Sequence, residues 1–95
     1  SRSVRDTAEV HEGEYIGFVG HDIVSGADER LETLYKTADV LDKKAADIVI
    51  LLSGAAVPEA EAAEAQRYYE KRYPMREVYR IDGGQEIFDY ILIYE

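Results

Sequence analysis

The sequence contains no cysteine, no tryptophan and only two prolines in 95 residues. Without cysteine there is no disulfide frame, no thiolate metal site and no nucleophilic thiol, and a cytoplasmic location is expected. Long apolar runs are missing too. The longest, Ile48 to Leu52 and Tyr90 to Tyr94, are far too short to span a bilayer, and no basic-then-apolar signal segment opens the chain. Positive charge is scarce: eleven Lys and Arg stand against twenty Asp and Glu, a formal net charge of -9. That balance repels phosphate backbones and anionic membrane surfaces, so neither nucleic acid nor membrane insertion is expected.

Clustered glycine is equally scarce. A phosphate-cradling loop needs glycines that feed a helix N-terminus, where free amides and the helix dipole attract the anion. The Gly83-Gly84 pair instead lies between two predicted strands. His11 and His21 flank a predicted strand without a His-x-x-x-His partner and read as surface histidines, so no metal site is expected. Asp39 and Asp42 share a helix at a spacing ordinary for a solvated face. Ser25 and Ser53 lack the Gly-x-Ser-x-Gly elbow, and no acid/base pair is evident, so no catalytic residue is assigned.

What is present is a globular balance. Apolar residues make up 46% and charged residues 33%, above the hydrophobicity of disordered segments, and the length suits one small core. The opening residues include no initiator Met. Residues 1–12 are expected to be a linker or the end of a preceding domain, and 13–95 a C-terminal α/β domain of a larger protein.

Glu14 to Val19 is aromatic and β-branched, and Ile23-Val24 follows a Gly20-His21-Asp22 break, which predicts a hairpin. From Asp28 the period changes: Leu31, Leu34, Tyr35, Ala38 and Leu41 recur at helical spacing, and the helix is expected to end near Lys43-Lys44. Asp47 to Leu52 has the continuous apolar character of a central strand covered on both faces. Glu59 to Arg72 reads as a second helix, acidic early and basic late, with Pro58 suited to its first turn. Tyr73-Pro74 stops it, Glu77 to Ile81 alternates as a strand, Asp82-Gly83-Gly84 turns, and Tyr90 to Tyr94 closes the chain as another strand. The order β-β-α-β-α-β-β predicts a single small α/β domain, with a mixed sheet, parallel β-α-β crossovers and two packed helices.

Eight tyrosines are the most unusual feature of the composition. Each fits the edge of a small core, and together they also suit a contact surface. The candidate partner- or ligand-binding residues are Gly54, Gly83, Gly84, Gln85 and Tyr90, all at predicted loop or strand ends. Ser53-Gly54 follows the central strand, where open α/β sheets bind ligands, or is simply a tight connection. The glycines also fit a backbone requirement, and Gln85, which can donate and accept at once, fits either recognition or a structural hydrogen bond.

The segment from Asp82 to Glu95, with Gly83-Gly84-Gln85 followed by Tyr90-Ile91 and a final Glu95, resembles the C-terminal end of bacterial dihydroxyacetone kinase-like proteins, the group that includes the A subunit of fatty acid kinase. Gly13 to Val19 with Ile23-Val24 is similar to that family's strand entry into this domain, and Ser53-Gly54 falls where the family has a glycine after its central strand. The resemblance covers about residues 3 to 95.

It implies a noncatalytic docking or regulatory domain that contacts the rest of its own chain and an acyl-carrier protein subunit. ATP and magnesium would belong to an N-terminal domain of the parent, and this segment would need no cofactor. Two departures stand out: Glu86 and Asp89 occupy positions where the family commonly has proline, and Ala55-Ala56 replaces acidic residues. The first frees the final loop, and the second alters what the strand-end surface recognises. A second reading makes the domain a small-molecule or lipid-binding module, with its site beyond Ser53-Gly54 and beside Gly83-Gly84-Gln85. The apolar Tyr90 to Tyr94 strand leaves a homodimer open as well.

Overall fold

A computed structural model describes residues 2–4, 8–43 and 45–95, with backbone only for 2–4 and 8–10. The chain forms two compact units, residues 1–44 and 45–95.

In the first unit, β1 (Arg2–Val4) and β2 (Ala8–Val10) pair antiparallel as a short ribbon within the segment expected to be a linker. The predicted hairpin follows. β3 (Tyr15–Val19) pairs antiparallel with β4 (Asp22–Ala27) across a turn in which Gly20 takes φ 62°, with a bulge between Gly17 and Phe18. Alternation along β4 turns Ile23, Ser25 and Ala27 inward.

Helix α1 (Arg30–Leu41) buries Leu34, Ala38 and Leu41 together with Thr33 and Thr37. The Thr33 and Thr37 hydroxyls donate back to carbonyls one turn earlier, and Thr37 Oγ1 meets Ser25 Oγ at 2.8 Å. These bonds satisfy the buried hydroxyls. Gly17 lies against the same pair, and a side chain there would collide with both hydroxyls. The helix ends at Leu41 with Asp42 as its C-cap, and its last turn holds no cation, so the expected basic terminus falls just beyond it. Lys44 lies outside the described residues.

The second unit has β5 (Ile48–Ser53), α2 (Glu59–Arg72), β6 (Glu77–Asp82) and β7 (Tyr90–Tyr94). Its three-stranded sheet has the order β6-β5-β7, with β6 parallel and β7 antiparallel to β5. The expected order β-β-α-β-α-β-β thus holds from β3 onward, with two helices and a mixed sheet.

One parallel crossover forms among the described residues, β5-α2-β6. The other expected crossover, which would have run through α1, does not. Both edges of β5 are taken by β6 and β7, and among the described residues β4 pairs with β3.

On one face of the sheet, Val49 and Leu51 are fully buried, as are Ala62, Ala65 and Tyr69 of α2. Tyr69 donates to or accepts from Tyr94 through their hydroxyls at 3.2 Å and packs against Tyr73 at a ring separation of 5.4 Å. Small alanines let the helix approach the sheet, and tyrosines fill the end of the layer. The other face is not sealed in the same way. The expectation of a central strand covered on both faces is corrected here: Ile48, Ile50 and Leu52 are half-buried, because no element of this unit lies over them.

Candidate functional site at the carboxyl end of the central strand

The carboxyl ends of β5 and β6, the start of β7 and the first turn of α2 meet at one edge of the second unit. The parallel crossover puts them there: α2 starts just after β5 ends and runs back along the sheet, so its acidic first turn stays near the strand ends. All five candidate residues lie in this region.

Ser53 O accepts from the amides of Gly83 at 2.9 Å and Gly84 at 3.1 Å. The Gly54 amide donates to Asp89 O at 2.6 Å and the Ala55 amide to Gln85 O at 2.8 Å. Residues 83–89 are therefore laced over the end of β5. Gly54 is buried beneath them, and a Cβ at this position would come 2.5 Å from Phe88 O and 2.9 Å from Gln85 O. At Gly83 a Cβ would meet the end of the Gln85 side chain, which would have to swing aside, and Gly84 takes φ 70°, a conformation inexpensive only for glycine.

Gln85 Nε2 donates to Leu52 O at 3.3 Å, while its Oε1 is a buried acceptor with no hydrogen-bond partner. Tyr90 pairs with Ser53 across the antiparallel ladder and donates its hydroxyl to Glu61 Oε2 at 2.7 Å. The structure thus brings the five residues together, with the glycines and Gln85 holding the loop and Tyr90 tying β7 to α2.

Sequence reasoning missed a polar cluster beside them. Arg80 reaches Glu59 with both terminal nitrogens, at 3.1 and 2.8 Å, Gln66 through Nε at 3.1 Å, and Asp82 at 3.1 Å. Ser53 Oγ donates to the same Asp82 carboxylate at 3.2 Å. Hydrogen bonding from Arg80, reinforced by its charge, holds the Glu59 carboxyl below the usual 4.5, and hydrogen bonding to Glu59 raises the Arg80 guanidinium against the opposing effect of desolvation. The signal was available: Arg80 falls on the helix-facing side of an alternating strand, and Glu59 opens the one helix of this unit, which packs there.

Chemically, the site offers little to an anion. The amides of Gly54, Ala55, Gly83 and Gly84 are all donated within the protein, and an anion cradle requires them free. Arg80 is held by Glu59 and Asp82, and Glu61, Glu86 and Asp89 add further acidic charge to the first turn of α2 and to the loop before β7. No group of three or more His, Asp or Glu able to hold a metal ion occurs among the described residues. No helix among them is long and apolar enough to cross a membrane.

The tyrosines divide by position. Tyr69 and Tyr73 are core residues, whereas Tyr15 and Tyr79 face outward.

The FakA-like C-terminal family, that of the C-terminal region of proteins like the fatty acid kinase A subunit, matches residues 1–95, the whole chain. The chain belongs to that family. No curated protein matches it.

Proposed function

We propose that this chain is a noncatalytic docking domain of a kinase-like parent protein. It contacts an acyl-carrier protein subunit, so that an ATP-binding, magnesium-dependent domain elsewhere in the parent phosphorylates the bound fatty acid. The domain itself takes no cofactor and works in the cytoplasm.

Family membership supports this reading, and one structural observation carries it: the second unit displays large apolar side chains that its own core does not use. Met75, Tyr79, Ile81, Ile87, Phe88 and Ile93 are all exposed. Apolar area of this kind on a small chain marks a contact surface, and an aromatic such as Tyr79 offers both ring area and a hydroxyl. The strand-end region, where the amides are spent internally and the charge is acidic, favours docking over capture of an anionic small molecule.

The test is direct titration of the purified chain with the purified acyl-carrier subunit from the same organism, followed by calorimetry and repeated with Gln85→Ala and Tyr90→Ala. Saturable binding is expected. A folded chain that binds neither the loaded nor the empty subunit would remove the docking assignment.

A further inference from the structure

The register of the sheet decides which side chains share its outer face. Opposite residues in both ladders point the same way, so Ile48, Ile50 and Leu52 of β5 lie beside Tyr79 and Ile81 of β6 and Ile91 and Ile93 of β7. This is an unbroken apolar surface three strands wide. Its flanks are open, with Tyr79, Ile81 and Ile93 exposed by 51%, 50% and 39%. The charged residues in the same alternation are Glu77, opposite Ile48, and Glu95, whose amide donates to Ile48 O at 2.9 Å. Both are acidic and both sit at one end. Arg80, the cation of β6, points to the opposite face, where it meets α2.

We infer that this outer face seats one amphipathic helix from a partner protein, apolar along the stripe it buries and cationic at the end that meets Glu77 and Glu95. The inference rests on the docking reading and assigns it a surface and a partner chemistry. The dimensions fit: three strands about 4.8 Å apart and five to six residues long make a face about 14 Å by 17–20 Å, matching a helix about 10 Å across and about 12 residues long. An α/β sheet ordinarily carries helices on both faces, and here α2 covers only one.

Charge disfavours a second copy as the occupant. In a face-to-face pair, the Glu77 and Glu95 end meets either the same end of its twin or the loop end, where residues 83–89 contain Glu86 and Asp89 and no cation. Neither orientation sets a cation of the outer-face alternation against these glutamates, and like charges in apposition weaken association.

The test uses the whole chain and a synthetic 14-residue helical peptide with a leucine stripe and two lysines in its last turn. One comparator has glutamates in place of the lysines, and another has the leucines scattered around the helix. Fluorescence anisotropy at low salt reads affinity, and backbone NMR shifts locate the site.

The lysine-ended peptide is expected to bind about fivefold more tightly than the glutamate-ended one, the scale of an exposed ion pair. Shifts should concentrate on Ile50, Tyr79 and Ile93, and Tyr79→Lys with Ile93→Lys should weaken binding by at least about tenfold with the far-ultraviolet dichroism unchanged. Glu77→Lys should reverse the charge preference. Equal binding of the scattered peptide, shifts centred on Gly54 and Gln85, or a dimer that protects this same face would each overturn the inference.

The acyl-carrier subunit separates this idea from the docking reading. If that subunit binds the Tyr79→Lys, Ile93→Lys chain with the affinity it has for the parent, docking stands and the helix seat fails. If it binds neither chain while the peptide result holds, the seat stands and that partner is wrong.

Discussion

The two faces of the β6-β5-β7 sheet are made from the same kind of residue and differ in their fate. Val49 and Leu51 are sealed beneath the alanines and tyrosines of α2. One residue along in each direction, Ile48, Ile50 and Leu52 stay half-buried, flanked by exposed Tyr79, Ile81 and Ile93. The strand alternation is indifferent to this asymmetry, because period two assigns residues to faces without saying what covers either. Stability should therefore reside on the helix side and recognition on the open side.

The largest effect expected on the helix side is from Leu51→Ala, which leaves a cavity where no solvent reaches. It should cost about 2–5 kcal/mol in denaturant unfolding, and a loss below about 1 kcal/mol would show that the sheet and α2 are not closely packed. Gly54→Ala comes next. It brings a methyl against the Phe88 and Gln85 carbonyls, so the loop must shift, at a cost of about 1–3 kcal/mol. Amide exchange should quicken at Gly54 and Ala55, whose protons the loop now protects.

On the open face the same measurement should give a small number. Ile93→Thr is expected to change stability by no more than about 0.5 kcal/mol, as for other surface positions, and a core-sized loss would erase the contrast between the faces.

The smallest effect is electrostatic. Arg80 lowers the folded-state pKa of Glu59 below 4.5, so the unfolded chain takes up this proton first as the solution is acidified. The ion pair's contribution is present above pH 4.5 and fades as pH falls through the lower folded value. Glu59→Gln should thus flatten the acid limb of the stability curve slightly, and a steeper limb would contradict the assignment. Because Glu59 is exposed, high salt should diminish the difference between the two proteins.

Much of the second unit was legible in the residues. Glu59 to Arg72 announces its helix through charge order, and the observed bounds agree. Tyr90 to Tyr94 likewise emerges as the closing strand. The candidate glycines and Gln85 were correctly placed at strand ends, and the structure brings them together. What could not be read was the direction of their polar groups: that Gly54 donates to Asp89 and Gln85 to Leu52 depends on a loop folding back over a strand far earlier in the chain. Arg80 could have been singled out from the strand alternation, but its pairing with Glu59 is made by the crossover.

The sequence by itself determined the elements from β3 onward, their order and the acidic character of the chain, because period, turn chemistry and charge are local properties that need no knowledge of neighbours. Its family relationship was legible there as well, in Gly83-Gly84-Gln85 and the closing strand. Tertiary structure alone decided that β5 would give both edges to β6 and β7 and that α2 would cover one face of the sheet and leave the other open. Those are outcomes of competition among distant segments for the same edges and faces, and the pattern along any one strand does not contain its result.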